Sequence, residues 1–249
     1  MSDDWLRTSV GTSDADSITV MGRNVADELM GQVTLTQLAF LLVQRRMPSD
    51  GETRLLDAVL VSLADHGLTP TVLAARMTYT GAPESLQGAI AAGLLGSGSV
   101  FLGVVEDTAR FLEGILAGEP GDLRAAAEAA VAAHTGRVPG LGHPIHKVQD
   151  PRTPRLYAIA EESGTLGPHL ELLRHVADAH GRGLPINGAG VAGAALADLG
   201  FRSELLRGFA VLARTAGLLG HLAEEMERPL GMPLYREIDE RAVYEPPPG

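Results

Sequence analysis

Apolar residues recur along most of this chain at the three- and four-residue spacing of a helix face. The plainest run is Leu55, Leu56, Val59, Leu60 and Leu63, which fall on one side of a 3.6-residue period and predict a helix buried on that side. Ser49 and Glu52 precede it with the spacing of a capping box, in which each side chain satisfies a backbone N–H of the other, and Pro48 stops the element before. Thr34 and Gln37 open another helix in the same way, through Leu38, Leu41 and Leu42. Pro70 and Pro83 punctuate the next segments, Pro120-Gly121 precedes the Ala-rich run AAAEAAVAAH, and Pro168 precedes HLELLRHVADAH. Aromatics make up only 4% of the residues and no alternation of period two is sustained, so the pattern predicts an all-α fold.

One uncharged stretch, SLQGAIAAGLLGSGSVFLGVV from Ser85 to Val105, approaches the length of a membrane span. Gly93, Gly96, Ser97, Gly98 and Ser99 break it where a span stays strongly apolar, so it reads as two buried helices meeting at a Gly/Ser hinge. The abundance of alanine and glycine predicts close helix packing. Three glycine-rich breaks, at 96–99, 139–142 and 187–190, are hinge or ligand-contacting loops, and the PPPG tail reads as a frayed end.

Composition narrows the partners. Twenty Lys and Arg stand against 31 Asp and Glu, a formal net charge of −11, which argues against a nucleic-acid partner. A local cluster of cations can still hold a small anion inside an acidic protein. With no cysteine there is no disulfide, thiol nucleophile or cysteine-based metal site. The start, MSDDWLRTSVGTSDADS, lacks the basic head and apolar middle of a secretory signal, so a cytoplasmic location is expected.

The segment GLGHPIHKVQDPRTPRLYAIA, residues 140–160, concentrates the chemistry. It sets His143, His146, Lys147, Arg152 and Arg155 behind a Gly-rich turn, a combination suited to anionic oxygen. His143, between Gly142 and Pro144, sits at a turn or a helix start, where it is open to a ligand. A single turn histidine usually bonds a nearby carbonyl; the cations around this one favour a ligand. A His143/His146/Asp150 metal set can also be written, against which stand the missing HExxH helix and the adjacent cations. His66, in ADHG, reads as a cation at a helix C-terminus with Gly67 as left-handed cap. Arg214 and His221, seven residues apart, share nearly one helix face. An arginine in the apolar stretch FAVLARTAGLLGHL needs an acidic partner or an anionic ligand, and the spacing leaves both open.

Taken together, ADHG at 64–67, GLGHPIHKVQDPR at 140–152, LPINGAG at 184–190 and VLARTAGLLGH at 211–221 resemble the citrate synthase superfamily, in particular its short branch of citryl-CoA lyases and the homologous module of ATP-citrate lyase. The likeness runs in order along nearly the whole chain. It implies an all-α homodimer with a larger domain from both ends (1–103 and 188–249), a smaller one between (104–187), and the active site in the cleft. The implied reaction joins an acyl-CoA and a 2-oxo acid such as oxaloacetate, or cleaves the product, without metal or bound cofactor; the CoA thioester is a substrate. His143 would hydrogen-bond the oxo-acid carbonyl and His66 the same substrate. Arg152 and Arg214 would hold its carboxylates, with Arg155, Arg228, His146 and Asn187 as further contacts. Pro139, Gly140, Leu141 and Gly142 would lie against CoA. Two departures stand out. Phe101 replaces the histidine of His-Gly-Gly, as the lyase module also lacks it, and the family's catalytic aspartate falls at Ala189, which cannot move a proton. The resemblance therefore carries a second reading, a member that binds a CoA ester or oxo acid without turnover.

Overall fold

The computed structural model describes residues 6–248. The acidic N-terminal segment thus lies outside the described residues at positions 1–5, and the PPPG tail at Gly249. Eleven α-helices occur among the described residues: α1 (Leu35–Gln44), α2 (Asp50–Ala64), α3 (Pro70–Gly81), α4 (Leu86–Leu95), α5 (Gly103–Leu116), α6 (Leu123–Ala133), α7 (Arg152–Glu162), α8 (Pro168–His180), α9 (Gly188–Asp198), α10 (Ser203–Glu227) and α11 (Gly231–Arg241).

The local signals act where the sequence puts them. Ser49 accepts the Glu52 N–H and Glu52 accepts the Ser49 N–H, so α2 starts on a complete capping box, and Thr34 with Gln37 does the same for α1. Pro70 and Pro168 occupy the first turns of α3 and α8, where a missing N–H costs nothing. On α2, Leu55, Leu56, Val59 and Leu63 are buried and Leu60 packs at their edge.

Helix α9 is the axis of the packing. Its sequence GAGVAGAALAD is buried at nearly every position, against α5, α8, α2 and α7. Small residues allow this closeness: a Cβ placed on Gly193 would stand 2.2 Å from the Val105 carbonyl oxygen on α5. Replacing Gly193 with alanine is therefore expected to push the two helices apart and lower the stability by about 1–3 kcal/mol, readable as a lower denaturant midpoint. A smaller apolar cluster joins α3, α4 and α10 through Val72, Ala75, Ala89, Leu218 and Leu222. Beside it buried Glu225 accepts from Arg76 Nε at 2.6 Å and from the N–H groups of Leu230 and Gly231, which anchors the start of α11.

Two features depart from the sequence pattern. Residues 11–24 form a small antiparallel sheet, β1 (Gly11–Ser13), β2 (Ile18–Val20) and β3 (Arg23–Asn24), in that order. Its strands are two or three residues long and largely exposed, too short to leave an alternating pattern. It is held by turns instead: Asp14 accepts the N–H groups of Asp16 and Ser17, and Met21 and Gly22 take positive φ. The uncharged 85–105 stretch does split at its Gly/Ser hinge, into α4 and the start of α5, but α4 buries only Ala89 and Gly93 and leaves Leu95 exposed. No helix among the described residues is long and apolar enough to cross a membrane.

Candidate active site

Two of the three glycine-rich breaks form one structure. Gly140 and Gly142 adopt φ of +81° and +79°, which favours glycine, and the turn they make lies along residues 185–187. The Gly142 N–H donates to Pro185 O, the Asn187 N–H to Gly140 O, and Leu141 bridges Ile186. A Cβ on Gly190 would come within 2.5 Å of Gly140 Cα, so both glycines are needed for this approach. Asn187 is spent on holding the turn: its Oδ1 caps α9 by accepting the Gly190 N–H, and its Nδ2 donates to Gly142 O. Gly140 and Leu141 are buried in the joint, leaving Pro139 and Gly142 as the members of this turn with open surface.

His143 follows directly. The backbone N–H groups of Ile145 and His146 both donate to its Nδ1, at 3.1 and 3.0 Å. That nitrogen is therefore an acceptor, and the neutral ring carries its hydrogen on Nε2. Burial depresses the His143 pKa, and the neighbouring His146, His66 and Arg152 push the same way against Asp150, so the neutral donor form prevails. His146 stacks on His143 with ring centroids 4.5 Å apart, and His66 stands 5.3 Å from His143 and 6.3 Å from His146.

The place of His66 corrects the helix-cap reading. Helix α2 ends at Ala64, Asp65 turns into extended backbone, and Asp65 accepts the Gly67 N–H, so His66 lies beyond the helix with its ring in the cluster. The same Asp65 accepts from His221 Nε2 at 2.8 Å, tying the end of α2 to α10. Burial raises the Asp65 pKa, but the bonds from Gly67 and His221 outweigh it and keep the carboxyl below its usual range.

Arg152 and Arg214 differ in what holds them. Asp150, wholly buried, accepts from Arg152 Nε at 3.0 Å and Nη2 at 2.7 Å, and from the Gly188 N–H at the start of α9. Arg152 Nη1 also donates to Ser62 O, and its guanidinium fills the space that a side chain on Gly188 would need. Burial opposes the charge on Asp150, yet these donors hold its carboxyl far below the ordinary range. Asp150 is thus the anchor of Arg152 and not a partner of His143 and His146. Arg214 is only 7% exposed, and among the described residues it makes no ion pair or hydrogen bond and its buried Nε has no partner. Burial depresses its pKa; the charge of Asp65 acts in its favour, that of Arg152 against it. A buried guanidinium is retained at such cost where an anion completes it.

Arg155 pairs with Glu162 on the exposed side of α7, and Arg228, just past the end of α10, pairs with Glu224. Both are more than half exposed, and Arg228 lines an open cavity together with Asp65 and His221. The residues the sequence did not single out are Asp65 and Ser62, whose roles depend on contacts across some ninety residues or more. Ala189 sits half-buried in the first turn of α9, next in the chain to Gly188, against which the Arg152 guanidinium lies. The three histidines could hold a metal ion by size, since one ring nitrogen of each lies within 4.8 Å of the others. His143 has no lone pair to give, because Nδ1 is taken by two backbone donors and Nε2 carries hydrogen.

The site thus brings together a histidine fixed as a neutral hydrogen-bond donor and two imidazoles, with an arginine whose buried Nε has no partner among the described residues, in a helical protein. The family profile of the citrate synthase C-terminal domain matches residues 34–236, and the chain belongs to the citrate synthase family. Among solved structures it is similar to citryl-CoA lyase from Hydrogenobacter thermophilus, at 29% identity and a TM-score of 0.86, covering 98% of this chain and 95% of that one. It shares its fold with ATP citrate lyase from Methanothrix soehngenii in complex with citrate and coenzyme A, at 23% identity and TM-score 0.77, over 98% of this chain and 42% of the other. The same holds for citrate synthase from Thermoplasma acidophilum in complex with carboxymethyl coenzyme A and oxaloacetate, at 20% identity and TM-score 0.69, over 89% and 61%. No curated protein matches the sequence.

Proposed function

We propose that this chain is a citryl-CoA lyase-type enzyme that breaks or forms a carbon–carbon bond between an acyl-CoA and a 2-oxo acid such as oxaloacetate. The observation that carries the reading is Arg214, an arginine with no partner among the described residues, under the charges of Asp65 and Arg152, the latter acting also on His143, which is fixed as a donor. In this reading Arg214 binds a substrate carboxylate, Arg152 adds a second positive charge, and His143 Nε2–H donates to the oxygen that is carbonyl in the oxo acid and alkoxide in the adduct. Pro139 and Gly142 present the outer edge of the turn to the CoA thioester. Citrate, oxaloacetate and coenzyme A derivatives in the complexes of the related folds support the substrate class. The division into a large domain (1–103 and 188–249) and a small one (104–187), with the cleft between, belongs to the same proposal.

A homodimer fits this reading. On α10, Leu205, Leu212, Leu219 and Met226 recur every seven residues and remain 37–53% exposed, an apolar stripe that a second copy would cover.

Ala189 favours a second reading, a protein that binds such ligands without turnover, because the first turn of α9 offers no carboxylate and Asp150 is held too acidic to act as a base. Citryl-CoA separates the two. The enzyme is expected to release oxaloacetate, followed as NADH consumption with malate dehydrogenase, and His143→Ala to abolish the release; calorimetric binding of citryl-CoA with no release at high protein concentration would establish the second reading.

A further inference from the structure

Cleavage of a citryl-type thioester needs one group that takes the hydroxyl proton and one that protonates the carbon left behind. The groups around the histidine cluster are nearly all committed. His143 is locked as a donor by two backbone N–H groups on Nδ1, and so cannot accept a proton. Asp150 is paired with Arg152 and Gly188, and Asp65 with His221 and Gly67, both with depressed pKa. The side chain of residue 189 is a methyl group. What is left is two imidazoles, His66 and His146, whose ring nitrogens make no hydrogen bond or ion pair among the described residues.

With His143 they form one cluster, in which one ring nitrogen of each histidine lies within 4.8 Å of the others, so one small ligand can meet all three. His66 follows Asp65, whose charge acts on Arg214, and its ring stands farther from His143 than that of His146 does. His146 instead stacks on His143 and is fixed to the same turn, because its own N–H is one of the two donors to His143 Nδ1.

Resting on the lyase reading, we infer that His146 is the proton carrier of the reaction and serves both ends of it. A ring nitrogen of His146 takes the substrate hydroxyl proton. The oxygen becomes a carbonyl as the adjacent carbon–carbon bond breaks, and that bond's electron pair forms the thioester enolate. The same proton then passes from His146 to the enolate carbon. The hydroxyl oxygen and that carbon are bonded to one and the same carbon, so a single imidazole can reach both in turn. The protein ends as it began, with no oxidant, reductant or second base. His143 holds the developing oxyanion throughout, and synthesis is the reverse.

The test compares wild type, His146→Gln and His146→Asn on citryl-CoA, with oxaloacetate release from pH 5 to 9 and calorimetric binding of oxaloacetate measured for each. The titratable groups packed against His146 are His66 and His143, with Lys147 next in the chain and Asp150 and Arg152 acting on His143, all present in every variant. The inference expects both variants to bind oxaloacetate within threefold of wild type, to release it about 10²–10⁴-fold more slowly, and to lose the acid limb of the pH profile. A merely structural role would weaken binding and leave the profile's shape unchanged, which overturns the inference. Wild-type rate and profile in either variant also overturns it, while the lyase reading stands. No release by wild type overturns both.

Discussion

Arg214→Met is expected to make the protein more stable and less able to bind its ligand. In the unliganded protein Arg214 is 7% exposed and its buried Nε has no hydrogen bond among the described residues to offset its lost hydration. Methionine fills similar space without that cost, so the melting temperature should rise by a few degrees, corresponding to about 1–2 kcal/mol. Oxaloacetate loses its charge-assisted bonds at the same time, which costs about 3 kcal/mol and weakens binding roughly 100-fold. Thermal unfolding and calorimetry on one preparation check both signs. A structural arginine with a hidden protein partner would lose stability on this substitution, so the opposite movement of the two quantities is specific to a ligand-binding group.

Asp150→Asn is expected to have the largest effect on the fold. The carboxylate is wholly buried and holds the Arg152 guanidinium at 2.7 and 3.0 Å while capping the N-terminus of α9 through the Gly188 N–H. An amide leaves the arginine charge half-answered, a loss of about 3 kcal/mol, or roughly 10 °C in melting temperature for a chain of this length. The pH dependence follows from the sign of the shift. The folded-state pKa of Asp150 is depressed, so its stabilisation is fully present above the unfolded value near 3.9 and is lost as pH falls below it. Denaturant titrations of wild type should therefore lose this contribution below about pH 4, and Asp150→Asn should lack that component while starting lower at pH 7. Arg152 would also lose its fixed orientation toward Ser62 O, so oxo-acid binding should weaken along with stability.

The parts of this molecule that were legible in the sequence are those fixed within a few residues. The capping boxes of α1 and α2, the prolines opening α3 and α8, and the buried face of α2 each depend on neighbours three or four positions away. The family resemblance drew on whole motifs, and the profile match and the similar solved structures agree with it. The N-terminal sheet was not legible, because its strands are short and exposed and its turns carry the information. Within the site, the sequence brought out the residue types but not their partners. Arg152 and Arg155, three residues apart, look alike as cations; Asp150 turns the first inward and Glu162 holds the second at the surface. Asn187 looks like a ligand contact, yet both ends of its amide are consumed by Gly142 and Gly190. Arg214 posed a choice between an acidic partner and a ligand that spacing could not make. The packing of α10 against the end of α2 draws Asp65 to His221 and leaves Arg214 without an acidic partner among the described residues, which supports the ligand.

In the proposed function Arg214 and His143 hold opposite ends of one 2-oxo dicarboxylate. A crystal structure of the protein soaked with oxaloacetate tests it most directly. The account predicts a carboxylate on the Arg214 guanidinium and the keto oxygen within hydrogen-bond distance of His143 Nε2. Oxaloacetate bound elsewhere, with Arg214 paired to a protein carboxylate, would contradict it.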